Sequence, residues 1–386
     1  MMNQRTILAV SVLLLSASGV AAQTYHVSIG LFRKEPPAVV RVSGPCLISG
    51  RSRVDSGKSI VLRYSAKGVL LEGVGARSTH PSVRLKPVNV GGTVELVVDG
   101  RGRPYRGEIT VRSSRGKLQV VNRLDIEDYV RSVLPGEMPH DWPLQSLAAQ
   151  AVVARSFAAA GMGRHSKEGF DLCDLTHCQV YRGSSWERPE TNRAVEMTSG
   201  EVLTFRSKCV PVPYHSTCGG CTTDGLYSGH PAEDYLTPVK DSRGKEVYCS
   251  ASNHYRWSWS LSSDELKRAT EADGRPVPGE VADVRVSARD ASGRATAIEI
   301  RADRLVKVTA YDFMLAAGRH LGWNKIKSTL FDVRRSNGRF VFTGRGLGHG
   351  MGLCQWGARG MALRGRSYGE ILKHYYPKCV VSRRYH

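Results

Sequence analysis

The sequence predicts an α+β protein in which mixed helices and strands surround a substrate cleft, with a β-rich N-terminal region. Three observations carry that prediction. Short apolar-alternating segments separated by Gly, Asp and Ser turns run from about residue 25 to 110. Helical spacing and an alanine-rich run follow over residues 126–160. A strand, strand, helix, strand, strand pattern then occupies residues 281–342.

The first 22 residues carry Arg5, an apolar run over 7–15 and the small-residue site Val20-Ala21-Ala22. That is the pattern of a secretory signal, too short to span a bilayer, so a mature chain starting near Gln23 is expected in the cell envelope, periplasmic or extracellular. About 360 residues remain, enough for two or three domains. Lys and Arg number 55 against 35 Asp and Glu, a formal charge of +20. In an exported chain that surplus suits an acidic polymer or anionic surface. It is spread along the sequence with no aromatic interleaving, which argues against nucleic acid. Nine cysteines in such a setting suggest disulfides, with the odd count leaving at least one thiol over.

Residues 23–114 read as the β-rich region: Val27, Ile29 and Leu31 alternate, and segments 59–64, 68–72, 94–98 and 105–111 are short strands. No acid pair or metal spacing occurs there. Residues 115–386 hold the chemistry. A strand at 117–122 leads to a short amphipathic helix built on Ile126, Tyr129, Val130 and Val133, capped by Asp125 and ended by Pro135. Asp141 then caps, and Pro143 opens, the alanine-rich helix that runs to Ala160. Between the helices Glu137 stands in a stiff loop beside Met138, Trp142 and prolines, where desolvation raises a carboxyl pKa and suits a general acid. The bland alternative is a solvated or capping glutamate.

Further along, Cys173 and Cys178, with His165 and His177 nearby, have the donors for a structural zinc, and a disulfide is the alternative. A short helix over 190–199 and a strand over 200–205 precede His215-Ser216-Thr217-Cys218-Gly219-Gly220-Cys221. The Cys218/Cys221 spacing is that of a redox or metal pair, but Gly219-Gly220 makes a poor helical first turn for a redox motif, so a loop against a substrate groove is preferred. Adjacent His215 and Ser216 cannot readily act as base and nucleophile, and no Gly-x-Ser-x-Gly elbow is present. An α+β insert is expected near 262–343. After it, Gly348-His349-Gly350-Met351-Gly352 lacks phosphate-loop spacing and instead offers His349 and Gln355 to a cleft. A terminal helix from Tyr368 stops at Pro377.

These blocks resemble the stage II sporulation protein D / LytB family of exported cell-wall proteins. The resemblance rests on Asn122-Arg123-Leu124 through Trp142-Pro143, on Ala149 to Arg155, and on Cys178-Gln179-Val180-Tyr181. It continues through His215 to Gly220, Gly348 to Gly352, Gln355-Trp356-Gly357-Ala358 and His374-Tyr375-Tyr376-Pro377. It implies a peptidoglycan lytic transglycosylase that prefers peptide-free glycan strands, with Glu137 as catalytic acid. The alternative it implies is a non-catalytic enhancer of a cell-wall amidase. Arg155, Gln179, Tyr181, His215, Ser216, His349 and Gln355 are then expected to bind or orient the strand, with Cys173, Cys178 and His165 (His177 the alternative) on a structural zinc. No cofactor is required for the chemistry: closure of the muramyl 6-hydroxyl on its own anomeric carbon lets one carboxyl serve as acid and then base, where a hydrolase needs two.

Overall fold

A computed structural model describes residues 25–49, 52–225, 233–271 and 274–384. The signal segment expected at 1–22 lies outside the described residues. The architecture is α+β, with a β-rich N-terminal part and seven α-helices among the described residues.

The N-terminal part is made of two antiparallel-rich sheets. One has the strand order Leu172–Cys173, His26–Leu31, Lys117–Asp125, Glu108–Ser114, Ser82–Pro87, Cys46–Ile48, Ser52–Val54. The other runs Arg101–Arg106, Thr93–Val98, Val39–Ser43, Ser59–Ser65, Gly68–Glu72, Ser78–His80. Alternation sets their inner faces: Val27, Ile29, Val40, Val42, Ile60, Leu62, Val94 and Leu96 are all buried. The single strand expected over 105–111 is two, because Gly107 breaks it with φ 74° where a side chain would strike the backbone of Arg123.

The boundary expected at 114/115 falls in the turn of the hairpin Glu108–Ser114 with Lys117–Asp125, not in a linker. His26–Leu31 pairs with Val120–Asp125 of the second hairpin strand, and Leu172–Cys173 extends the sheet in parallel. One apolar core therefore runs from Val27 through the helices to Cys379.

From that sheet the chain enters α1 (Ile126–Glu137), capped as expected by Asp125, which accepts from Glu127 N at 2.8 Å. α2 (Leu144–Ala160) is the central helix, with alanines 148, 149, 151 and 154 fully buried against α1, α3 (Pro189–Met197) and later helices. Small side chains allow that close approach on every face. Its N-cap is Pro143 rather than Asp141: Ser146 N and Leu147 N both donate to the Pro143 carbonyl.

A second apolar core defines a lobe that includes α4 (Ser263–Glu271) and α5 (Ala310–Leu321), packed on strands Asp283–Arg289, Ala295–Arg301, Leu305–Thr309, Phe331–Ser336 and Arg339–Gly344. The chain then returns to the main core through α6 (Gln355–Ala362) and α7 (Tyr368–Tyr375), the latter opened by a Ser367/Glu370 capping box. No described helix is long and apolar enough to cross a membrane.

Candidate active site

Glu137 is the last residue of α1, so Pro135 lies inside the helix and does not end it. Proline removes one i→i−4 bond. The loss is tolerated because Tyr129, Val130, Val133 and Leu134 are fully buried and Met138 N closes the turn on Leu134 O at 3.1 Å. The carboxyl is thus carried on a packed helix end, not in a free loop. Partly exposed Trp186 lies against Gly136, where a Cβ would come within 2.7 Å of its ring. Trp142 and Trp356 meet edge to face at 5.0 Å, with the Arg359 guanidinium over both rings.

Burial holds the Glu137 carboxyl above the ordinary carboxylate value, and a hydrogen bond from the Tyr214 hydroxyl works against it. That hydroxyl belongs to a directional chain. Tyr129 Oη donates to Gln179 Oε1 at 3.1 Å, and Gln179 Nε2 donates to the Tyr214 hydroxyl at 3.3 Å. The Tyr214 oxygen is engaged as an acceptor, which leaves its proton for Glu137. Gln355 Nε2 donates to the Glu137 backbone carbonyl at 3.1 Å. Among the described residues no second carboxylate joins this network.

Of the residues expected around the carboxyl, Gln179 and Gln355 are therefore brought to it. Tyr181 stands one layer behind, buried, its ring 5.4 Å from that of Tyr129 and its hydroxyl donating to Asn122 Oδ1 at 2.7 Å. The expectation for Arg155 is corrected. It is fully buried and spends its donors on Glu127 (2.9 and 2.6 Å), Glu201 O, Thr198 Oγ1 and Val195 O, so it bolts α2 to α1 and α3 and does not line the cleft.

His215 and His349 form a pair of their own. Tyr214 and His215 are neighbours on a two-residue strand paired in parallel with Leu353–Cys354, and successive strand residues face opposite sides. Tyr214 facing Glu137 thus turns His215 toward the lobe. Its Nδ1 donates to Met351 O at 3.0 Å, and Met351 N donates to His349 Nδ1 at 3.0 Å, with ring centroids 5.5 Å apart. Burial, then His349 and Arg294, push the His215 pKa well below its usual value, so the ring is neutral with its lone pair on Nε2. Gly348 permits this contact: φ is 104°, and a Cβ would lie 3.0 Å from His215 Cβ. Ser216 uses its carbonyl to receive Trp356 N at 3.1 Å, and its hydroxyl lies 3.3 Å from Thr217 Oγ1.

Tyr214 is the residue that sequence reasoning missed. Its signal was present, an aromatic hydroxyl next to the His215 block, but only the strand pairing shows which way it faces.

All nine cysteines are free thiols in the structure, in place of the expected disulfides. Cys173, Cys178, His165 and His177 converge, each offering a donor atom within 4.8 Å of the others. Both histidines belong to the set, not one of two alternatives: Cys178 Sγ lies 3.5 Å from His165 Nε2 and 3.5 Å from His177 Nδ1, and Cys173 Sγ lies 3.8 Å from His177 Nδ1. A Cys2His2 set fits tetrahedral zinc. Glu168 orients the His165 ring through Nδ1 at 2.7 Å and is itself held by Arg33 at 2.9 Å, the outer support that a metal-binding imidazole ordinarily has. The cluster ends one residue before Gln179. Beside it, not at Glu137, lies a cavity of about 420 Å³ lined by Phe32, Arg33, Arg101, Arg103 and Arg182.

Comparison with known proteins agrees with this layout. The sequence profile of the family described as stage II sporulation protein matches residues 114–205, which contain α1, α2 and the Cys/His cluster. A profile for a domain of unknown function matches 231–352, which includes the lobe. An uncharacterized protein of Brachyspira hyodysenteriae is 34% identical over 276 residues, 71% of each chain. The amidase enhancer of Bacillus subtilis is 28% identical over 342 residues, 77% of this chain but only 46% of that protein. Stage II sporulation protein D of Bacillus amyloliquefaciens is 28% identical over 277 residues, 68% of this chain and 75% of that one.

Proposed function

The chain belongs to the stage II sporulation protein D / LytB family, and from that premise we propose that it is an exported lytic transglycosylase that cleaves peptidoglycan glycan strands, peptide-free ones by preference. The observation that carries the reading is an isolated, partly buried carboxyl held by a tyrosine whose own hydroxyl is oriented from behind. Desolvation keeps Glu137 protonated further toward neutral pH, as a general acid requires. Glu137 gives its proton to the glycosidic oxygen as the bond from the anomeric carbon breaks. The resulting carboxylate, which Tyr214 stabilises, takes the proton of the muramyl 6-hydroxyl as that oxygen bonds to the same carbon. Proton and electron pairs balance within one residue, and the product is a 1,6-anhydro-muramyl end. Partly exposed Trp186 presents an aromatic surface suited to sugar, and the basic surface suits an acidic wall polymer.

Zinc in the Cys2His2 cluster would be structural, closing the loop that presents Gln179; the cleavage steps need no metal. Digestion of peptide-free glycan strands, read by mass spectrometry, tests the reading. Wild type should yield anhydro-muramyl ends and Glu137→Gln none.

The second reading is a non-catalytic enhancer of a cell-wall amidase, favoured by the name of the Bacillus subtilis relative. Stimulation of an amidase that survives intact in Glu137→Gln, with no anhydro ends from either protein, would establish it instead.

A further inference from the structure

A second group of buried donors gathers apart from the Cys/His cluster. Cys218 follows the Tyr214 strand, Asp241 and Cys249 flank the short hairpin 242–247, and Cys354 is the N-cap of α6. One donor atom of each lies within 4.8 Å of the others, and all four residues are buried. The sulfurs of Cys218 and Cys249 are 3.6 Å apart, and Cys218 Sγ is 3.2 Å from Asp241 Oδ2. Two thiolates on a tetrahedral zinc, each at about 2.3 Å, stand about 3.8 Å from one another. The spacing is that of ligands sharing one ion.

Backbone donors are aimed at the sulfurs. Backbone N–H groups of Gly220 and Gly357 point at Cys218 Sγ and Cys354 Sγ, both at 3.3 Å, and Cys218 N points at Cys354 Sγ at 3.2 Å. Donors of this kind stabilise the charged form of a group. Tyr375 Oη donates to Asp241 Oδ1 at 2.5 Å, leaving Oδ2 toward the sulfurs, which is how an outer hydrogen bond sets a ligand carboxylate. Arg294 is fully buried and donates to the Cys218 carbonyl at 2.7 Å, while its Nε and Nη1 have no hydrogen-bond partner. A guanidinium with two unpaired N–H positions there offsets negative charge in the adjoining cluster.

We propose that Cys218, Cys249, Cys354 and Asp241 hold a second structural zinc ion, distinct from the Cys2His2 cluster. Binding releases the three thiol protons. The ion's two charges, the N–H donors and Arg294 together balance three thiolates and a carboxylate. Four protein ligands close the coordination sphere, so the ion is structural, and no bond is made or broken at it. Its effect is on geometry. It ties the strand carrying Tyr214 to the start of the helix carrying Gln355, the two contacts made to Glu137 from outside α1.

The test is zinc content per chain of the mature protein by elemental mass spectrometry, a readout independent of cleavage activity, so its failure leaves the role of Glu137 standing. In the Cys173→Ser/Cys178→Ser variant one zinc should remain. Adding Cys249→Ser should remove it, and Asp241→Cys should retain it. Zinc unchanged by Cys249→Ser, or none left in the folded double variant, overturns the proposal. If a variant does not fold, alkylation of wild type decides. Cys218, Cys249 and Cys354 should react only after a chelator is added. No effect of chelator, or a disulfide among the three in a non-reducing peptide map, refutes the site.

Discussion

Replacing Tyr214 by phenylalanine removes one hydroxyl and leaves the ring, so it isolates the hydrogen bond to Glu137. A hydrogen bond to a charged acceptor contributes about 1.5–3 kcal/mol and one to a neutral acceptor about 0.5–1.5. The difference favours the carboxylate by about 1–1.5 kcal/mol, which at about 1.4 kcal/mol per pKa unit corresponds to about one unit. In wild type this bond opposes the rise that burial imposes on Glu137. Its loss should therefore raise the pKa further. A general acid is active when protonated, so the alkaline limb of the rate profile should move up by about one pH unit. Below that limb the rate should fall, because the carboxylate formed during proton transfer loses its donor. Anhydro-muramyl production measured across pH gives the limb, and isotope-edited infrared of the Glu137 carboxyl gives the pKa directly. A limb that stays in place or moves down refutes the assignment of Tyr214 as the residue that sets the acid. Gln179 loses its acceptor in the same variant, so the melting temperature should be recorded alongside.

Glu137→Gln should abolish anhydro ends and also stabilise the protein at neutral pH. With its folded pKa raised, Glu137 binds more protons in the native state, so stability falls as pH climbs from the unfolded value toward the folded one. The melting-temperature gain of the glutamine variant should appear above that window and vanish below it. Arg155→Met should cost about 3–5 kcal/mol in denaturant unfolding, because it strands Glu127 beside buried backbone. Its folded fraction should keep wild-type KM, the opposite of what a cleft residue would do. Cys173→Ser should lower zinc content and reduce kcat through Gln179 with little change in KM; unchanged zinc would end the reading of that cluster as a metal site.

The fold was legible where period and packing agree. The helix at 310–321 and the opening of α1 at Asp125 follow from apolar spacing and a capping side chain. The end of α1 was not. Proline is a local signal against helix, while the four buried apolar residues that outweigh it gain their value only from partners far along the chain. Arg155 shows the same limit. A cation on an alanine-rich helix reads equally as a cleft group or a surface charge, and its actual role depends on Glu127 from the preceding helix and on carbonyls some forty residues later. Gln179 and Gln355 were legible as polar groups within distinctive blocks. Tyr214 was not, because facing is a property of a strand pairing that joins residues 214 and 353.

The placement of the cysteines explains how one carboxyl can stand alone and still be held. A hydrolase places a second carboxylate across the cleft as base or nucleophile. Glu137 takes its constraint from the backbone instead. Gln179 follows Cys178 directly and Gln355 follows Cys354 directly, while Tyr214 leads into the segment that carries Cys218. Each of the three side chains that position Glu137, two by contact and one from behind, is thus close in sequence to a buried thiol in one of two clusters. Tyr376 adds to the clamp by donating to Pro213 O at 2.5 Å and receiving Leu353 N at 3.0 Å, joining the two strands beside the second cluster. On the proposed function, loops fixed at one end by such anchors lose little further entropy when a glycan strand binds. A carboxyl whose partners are set in this way is held without a countercharge, and burial is what keeps it above the ordinary carboxylate value.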